Sequence, residues 1–91
     1  MNTVEKMKKE LKKQGHHLKP VVMLGNAGLT ENVHHEIELA LESHELTKIR
    51  ISGADSEQKN SLITKILEHH QAELIDQIGH VIVIYKKQQQ D

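Results

Sequence analysis

The sequence predicts a single α/β domain in which three helices pack on a four-stranded mixed sheet. The chain has 91 residues, 36% of them hydrophobic, which is enough for one modest core and too little for a second domain. Helical and strand-like apolar patterns alternate in the order α-β-α-β-α-β-β. Strands separated by helices favour parallel pairing, whereas the last two apolar runs are joined only by Gly79-His80 and are expected to form an antiparallel hairpin.

The first third of the chain predicts a helix followed by a buried strand. Thr3 can cap the helix and Gly15 can end it. The apolar face of this helix has helical spacing and consists of Val4, Met7 and Leu11. Residues 21–24 form a continuous apolar run between Pro20 and Gly25. Such a run, without alternating polar residues, is typical of a strand buried on both faces.

The middle of the chain predicts a second helix and a half-buried strand. Thr30 is an N-cap candidate for a helix that extends to about residue 45, with Glu31 favourable in its first turn. The expected buried side of this helix consists of Val33, Ile37, Ala40, Leu41 and His44. In residues 47–52 apolar and basic side chains alternate, so Ile49 and Ile51 share one face of a strand. The opposite face is basic and carries Lys48 and Arg50.

The last third predicts a third helix and the closing hairpin. Asp55 or Ser56 can cap a helix that ends near His70. Its expected buried side consists of Leu62, Ile63, Ile66 and Leu67. The hairpin strands are residues 72–78 and 81–85, and the second of them is expected to lie at the centre of the sheet. We expect a domain over residues 1–87 and a disordered tail over residues 88–91, which contain nothing to bury.

The most informative local feature is the loop Gly25-Asn26-Ala27-Gly28, which lies between the first strand and the capped start of the second helix. Two glycines allow a phosphate to approach the backbone closely, and the positive end of the helix dipole favours an anion there. The loop lacks the lysine and the third glycine of nucleotide-binding loops. Glycine pairs are also common wherever a strand turns into a helix, so both interpretations stay open.

The charges are separated along the chain. The net charge is −1, but residues 1–20 hold six lysines against two glutamates, and residues 21–46 hold five glutamates and no Lys or Arg. The lysines of the first helix lie opposite its apolar residues, either as a solvated face or as part of a basic surface beside the glycine loop. A near-neutral total therefore does not exclude a polyanionic partner.

Composition excludes several kinds of site. The sequence contains one aromatic residue, Tyr85, which argues against stacking of nucleic-acid bases on a sheet. It contains no cysteine, which excludes disulfides, thiolate metal sites and cysteine nucleophiles. Adjacent histidines on one helix point about 100° apart, and no HExxH motif occurs. We therefore expect no metal and no cofactor. A metal site built from histidines is kept as a third hypothesis. No catalytic motif indicates an enzyme or a small-molecule substrate. No apolar run predicts a membrane span or a signal peptide, so we expect a cytoplasmic protein.

Several short motifs occur in a fixed order along the chain. They are the runs at residues 15–22 and 24–30, then Glu36-Ile37, Ala40-Leu41, His44-Glu45-Leu46 and Lys48-Ile49, and finally Ala72-Glu73-Leu74, Gln77-Ile78-Gly79 and Tyr85-Lys86. In this combination the sequence closely resembles the bacterial YhbY-like proteins, the stand-alone form of the CRM (chloroplast RNA splicing and ribosome maturation) domain. The resemblance extends from about residue 5 to residue 87.

The resemblance implies a fold similar to that of the C-terminal domain of translation initiation factor 3. It also implies RNA binding through the glycine loop and neighbouring cations, and association with ribosomal RNA in precursors of the large ribosomal subunit. We expect the protein to act as a non-catalytic monomer. The expected RNA-binding residues are Gly25, Asn26, Ala27, Gly28, Lys12, Lys13, Lys19, Lys48, Arg50 and Lys86.

Two positions depart from the family pattern. Many relatives carry a basic residue inside the loop, where this chain has Asn26 and Ala27, so the positive charge must come from outside the loop. The residue after Tyr85 is often arginine in relatives and is Lys86 here, which keeps the charge but loses the bidentate fork.

A second hypothesis is a protein-interaction module in which an acidic stripe on the second helix docks on a basic ribosomal partner. This stripe consists of Glu31, Glu38, Glu42 and Glu45.

Overall fold

A computed structural model of the protein describes residues 3–25, 27–53 and 55–87, with side chains from residue 6 onward. Seven elements occur in the predicted order. They are the helices α1 (Thr3–His16), α2 (Glu31–Ser43) and α3 (Ser56–His70), and the strands β1 (Val22–Leu24), β2 (Leu46–Ile51), β3 (Glu73–Ile78) and β4 (Val81–Tyr85). Asn26, the predicted tail at residues 88–91 and the side chains of Thr3 and Val4 lie outside this description.

The four strands form one mixed sheet in the order β1-β2-β4-β3. β1 and β2 are parallel, with Val22 opposite Ile49, and the α2 crossover connects them. β4 is antiparallel to both β2 and β3. The predictions of a mixed sheet, a closing hairpin and a central last strand are confirmed. A register shift between Leu74 and Asp76 adds one residue, the buried Ile75, to the edge strand β3.

The main core lies between one face of the sheet and the helices α2 and α3. The helices contribute Ile37 and Leu41 from α2 and Ile63 and Ile66 from α3. The sheet contributes alternate residues, as the period of a strand requires: Val22, Leu24, Ile49, Ile51, Ile82 and Ile84. Each of these ten side chains is at least 95% buried, so they account for most of the hydrophobic stabilisation.

α1 lies on the opposite face of the sheet and packs on β2 and β3. Its residue Gly15 is buried against β4, because a Cβ at this position would lie only 3.1 Å from Cγ1 of Val83. Glycine therefore allows the close approach of α1 to the sheet, and the helix ends one residue later, at His16. Of the predicted apolar face, Leu11 is half-buried and Met7 is 43% exposed.

The prediction that the first strand is buried on both faces is wrong. Val22 and Leu24 belong to the core, whereas Val21 and Met23 are 59% and 66% exposed. The reason is that β1 is an edge strand, and α1, which lies on this face of the sheet, packs on β2 and β3. His44 was also expected on the buried side of α2, but it is the exposed C-cap of that helix.

The starts of α2 and α3 are fixed by the predicted capping residues. The hydroxyl of Thr30 accepts a hydrogen bond of 3.2 Å from the amide of Val33. Asp55, and not Ser56, caps α3, and it forms a capping box with Gln58. No helix within the described residues is long and apolar enough to cross a membrane.

Candidate nucleic-acid interface

The glycine loop lies at the edge of the sheet where the two parallel strands end. β1 ends at Leu24 beside the end of β2, and the amide of Ser52 donates a 3.0 Å hydrogen bond to the Leu24 carbonyl. The next elements, α2 and α3, therefore both begin at this edge. Each helix start carries a partial positive charge, but the Asp55 carboxylate already caps the start of α3, so the start of α2, with its neutral Thr30 cap, is the one that favours a further anion.

Gly25 and Gly28 have different roles in the loop. Gly28 has a φ of +73° and its amide donates a 3.1 Å hydrogen bond to the Gly25 carbonyl, so this position shapes the turn and favours glycine. Gly25 is exposed, has no positive φ, and a Cβ there would meet nothing within 4 Å. Space beside the backbone is open at both glycines, and Gly25 is the one at which a side chain can be added without backbone strain. The exposed Ala27 adds no charge.

A cleft of about 370 Å³ separates the glycine loop from the start of α3. It is lined by Gly25, Gly28, Ser52, Gly53, Gln58, Ser61, Leu62 and Lys65. Hydroxyl, amide and ammonium groups are all donors to phosphate oxygens. Ser52, Ser61 and Lys65 were not among the predicted site residues. The signal that could have found them is topological, since ligands bind at the carboxyl ends of parallel strands, and Ser52 directly follows such an end.

The two basic residues of β2 lie on the outer face, as predicted, but in different environments. The Lys48 ammonium donates hydrogen bonds of 3.1 Å to the carbonyls of Gly15 and Leu18. It therefore holds the C-terminal end of α1 against the sheet, where the helix dipole favours a cation. Arg50 is exposed and lies one residue before the end of β2, so its charge is available near the cleft.

The remaining predicted cations are dispersed. Lys12 lies 3.8 Å from Asp76, while Lys13 and Lys19 are exposed. Lys86 donates a 3.1 Å hydrogen bond to Glu38. It follows Tyr85, which pairs with the first residue of β2, so it lies about 17 Å from the edge that carries the glycine loop. The structure therefore separates Lys86 from the loop.

An apolar row crosses the outer face of the sheet beside Arg50. The register places Met23, Arg50, Val81 and Ile78 side by side on the four strands. Met23 and Ile78 are 66% and 56% exposed. This row was not predicted from the sequence, because the continuous apolar run at residues 21–24 indicated a strand covered on both faces. Arg50 therefore projects from a surface that combines one cation with exposed apolar side chains.

The predicted acidic stripe is interrupted in the structure. Glu31 and Glu42 are exposed on α2, but Glu38 is bonded to His70 and Lys86, and Glu45 lies beyond the end of the helix. The hydrogen bond from His70 lowers the pKa of Glu38, and Lys86 adds to this effect against an opposing contribution from burial. The surface required by the protein-interaction hypothesis is therefore not one continuous set of free carboxylates.

Three histidines, one from α2 and two from α3, lie close together. Nδ1 of His34 on α2 lies 3.0 Å from Nε2 of His70 on α3, and the His34 ring stacks on His69 with centroids 3.9 Å apart. Burial lowers the pKa of His34, and the charges of His69 and His70 add to this effect. The spacing of histidines within one helix does not predict this contact, because it joins two different helices. The absence of a bound metal stays a prediction.

Comparisons with known proteins show that the chain is similar to members of one protein family. The model of the CRS1 / YhbY (CRM) domain matches residues 4–86. The chain is 49% identical over 81 residues to a Haemophilus influenzae protein named RNA-binding protein, and this match spans 89% of the chain and 82% of that protein. It is 36% identical over 87 residues to a probable RNA-binding protein of Pseudomonas aeruginosa, spanning 96% of the chain and 84% of the relative.

The fold is also similar to that of a solved structure. The solution structure of a hypothetical Staphylococcus aureus protein, described as a candidate RNA-binding protein, superimposes with a TM-score of 0.80 at 30% sequence identity. The similarity covers 94% of this chain and 90% of that protein. The two chains therefore share the whole domain and not only a sheet.

The different environments of the two basic residues on β2 lead to a prediction about stability. Lys48→Met should lower the free energy of unfolding by about 1.5–3 kcal/mol, because it removes the charged donor of two hydrogen bonds and keeps the aliphatic stem. The matched control Arg50→Met, on the same face of the same strand, should change it by about 0.5 kcal/mol or less. Urea denaturation followed by circular dichroism measures both values. Equal stability of the two variants would contradict the structural role of Lys48.

Proposed function

Because the chain belongs to the CRS1 / YhbY (CRM) domain family, we propose that it binds RNA through the edge of the sheet that carries the glycine loop. The observation that supports this most strongly is the cleft between the glycine loop and α3, which is lined by Ser52, Ser61 and Lys65. Phosphate is the part of RNA that matches such a site, since helix N-termini and hydroxyl donors favour a compact anion. Relatives named RNA-binding proteins support the same ligand.

The proposed contact uses the loop backbone, the cleft and two exposed cations. Gly25 lets the RNA backbone approach, and Ser52 and Ser61 supply donors within the cleft. Lys65 lines the cleft on the α3 side, and Arg50 lies on the outer face near the same edge. A strand of RNA that passes over this edge would therefore meet positive groups on both sides of the loop.

Recognition in this mode depends on RNA shape and backbone more than on bases. The one aromatic residue, Tyr85, is half-buried beside β3 and pairs with Leu46, at the opposite end of β2 from the loop. Burial raises the pKa of its phenol, and Glu45 and Glu73 add to this. An aromatic residue in this place does not offer a platform for stacking bases at the proposed site. Affinity should therefore depend strongly on salt and weakly on sequence.

The finer part of the proposal concerns the RNA that is bound. We propose ribosomal RNA in precursors of the large ribosomal subunit as the target, with the protein acting in the cytoplasm as a monomer and without catalysing a reaction. The resemblance of the ordered motifs to the YhbY-like proteins supports this assignment. The interaction hypothesis based on α2 is less favoured, because Glu38 is already bonded to Lys86.

A carboxylate placed at the glycine loop should weaken RNA binding. Gly25→Asp should lower the affinity for a structured fragment of large-subunit ribosomal RNA by about tenfold or more, because the new charge repels phosphate. The asparagine of Gly25→Asn has nearly the same volume as the aspartate but no charge, so this variant should have an affinity closer to that of the wild type. Gly25 is suited to this test because its backbone conformation does not require glycine. Fluorescence anisotropy at fixed salt measures the affinities, and an unchanged affinity of the aspartate variant would contradict the proposed contact.

The two exposed cations near the edge should contribute to the salt dependence of binding. Lys65→Gln and Arg50→Gln should each reduce the slope of log K against log salt by about one, since each removes one phosphate contact. Lys86→Gln is the control, because Lys86 is paired with Glu38 at the other end of the sheet and should leave the slope unchanged. A reduced slope for Lys86→Gln alone would contradict the proposal, because it would mean that the RNA binds at the opposite end of the sheet from the glycine loop.

The ribosomal assignment is tested in cells. Cross-linking of the full chain to RNA, followed by sequencing of the attached fragments, should enrich large-subunit ribosomal RNA and its precursors over messenger RNA. A Gly25→Asp strain is the control and should show the same protein level with fewer cross-links. An even distribution over messenger RNA would keep the RNA contact and remove the ribosomal assignment.

A further inference from the structure

The facing sides of α2 and α3 carry a set of imidazoles that are not part of the proposed RNA contact. We propose that His34, His69 and His70 form a binding site for one divalent late first-row transition-metal ion, for which Zn²⁺ is the representative. Each of the three residues offers one ring nitrogen, and these nitrogens all lie within 4.8 Å of one another. Imidazole is a ligand that suits zinc, copper and nickel.

The distances are close to those of a metal site. Zn–N bonds of about 2.0–2.1 Å in a tetrahedron place ligand nitrogens about 3.3 Å apart. Nδ1 of His34 and Nε2 of His70 are already 3.0 Å apart. His69 completes the set from an exposed position. Its ring stacks on that of His34, so it must turn about its side-chain torsions as well as shift by about 1.5 Å to direct a lone pair at the ion, which its exposure allows.

Glu38 orients the buried ligand in the way that metal sites require. Nδ1 of His70 lies 2.8 Å from a carboxylate oxygen of Glu38, and a carboxylate can only accept, so this nitrogen carries the proton. Nε2 of His70 is then left with a lone pair, which accepts the 3.0 Å hydrogen bond from Nδ1 of His34. The ion would take the place of this hydrogen, and neutral His34 would carry its proton on Nε2 instead. Metal-binding histidines usually donate their other N–H to a carboxylate or carbonyl in this manner. Lys86 fixes the carboxylate from its other oxygen at 3.1 Å.

The site has a route to solvent for the ion and for a further ligand. His34 and His69 line an open cleft together with Leu29, Leu62, Lys65 and Glu68. Zinc sites with three protein ligands keep the fourth position for water or another molecule. His70, in contrast, is 2% exposed and gives the site a rigid base. The ion would join α2 to α3, so its binding should also stabilise the folded chain.

Metal titration of the full chain, produced without a histidine tag, tests the proposal. Isothermal titration with Zn²⁺ should show one ion bound per chain and a rise in the melting temperature. Co²⁺ should give the intense visible absorption of a four-coordinate site. His69→Gln and His34→Gln should weaken binding of either ion by about tenfold or more, and Glu38→Gln by about 10–100-fold through the loss of ligand orientation.

His35→Gln is the matched control, because His35 is adjacent to His34 on the same helix, is exposed and lies outside the cluster. It should bind like the wild type, which separates a defined site from weak surface binding by the eight histidines. Circular dichroism confirms that each variant is folded. If a His34 variant unfolds, the exposed His69 decides the outcome. No saturable binding of either ion, or equal binding by His69→Gln and wild type, would overturn the proposal.

Discussion

The parallel pairing of β1 with β2 is the constraint on which the rest of the molecule depends. Two parallel neighbours need a crossover, which here is α2, and their carboxyl ends must meet at one edge of the sheet. Because α2 and α3 follow these two ends, both helices start at that edge and run back across the same face. The glycine loop, the adjacent cleft and the contact between the histidines of the two helices all result from this one pairing.

The elements themselves could be predicted because their signals are local. Thr30 and Asp55 cap the helices that follow them, and Gly79-His80 closes the hairpin. The exposure of Met23 could not be predicted in the same way. A continuous apolar run shows that a strand can be buried on both faces, but it does not show whether another element covers it. α1 lies on the outer face and packs on β2 and β3, which leaves Met23 of the edge strand β1 exposed.

The candidate site could likewise be predicted only where its signals are local in the sequence. The loop could be located from its glycines, whereas the state of each cation depends on partners that are distant in sequence. Lys48 is separated by 33 residues from the carbonyl of Gly15 that it binds, and Lys86 by 48 residues from Glu38. The histidines show the same limit. Neighbours on one helix do point apart, as the helical period requires, but His34 and His70 come together across 36 residues through the packing of two helices.

The positions of the charged side chains explain how a protein with a net charge of −1 could attract an anionic partner. Lys48 and Lys86 are used within the fold, so the attraction at the loop cannot rest on the number of lysines alone. Helix starts attract anions through dipoles that act within about one turn, and charges beyond the Debye length of about 8 Å are largely screened. Most of the acidic residues on α2 therefore have little effect at the loop. Glu31 in the first turn of α2, and Asp55 and Glu57 at the start of α3, are the exceptions. The attraction of phosphate to the loop must therefore also come from the side chains beside it, of which Lys65 lines the cleft.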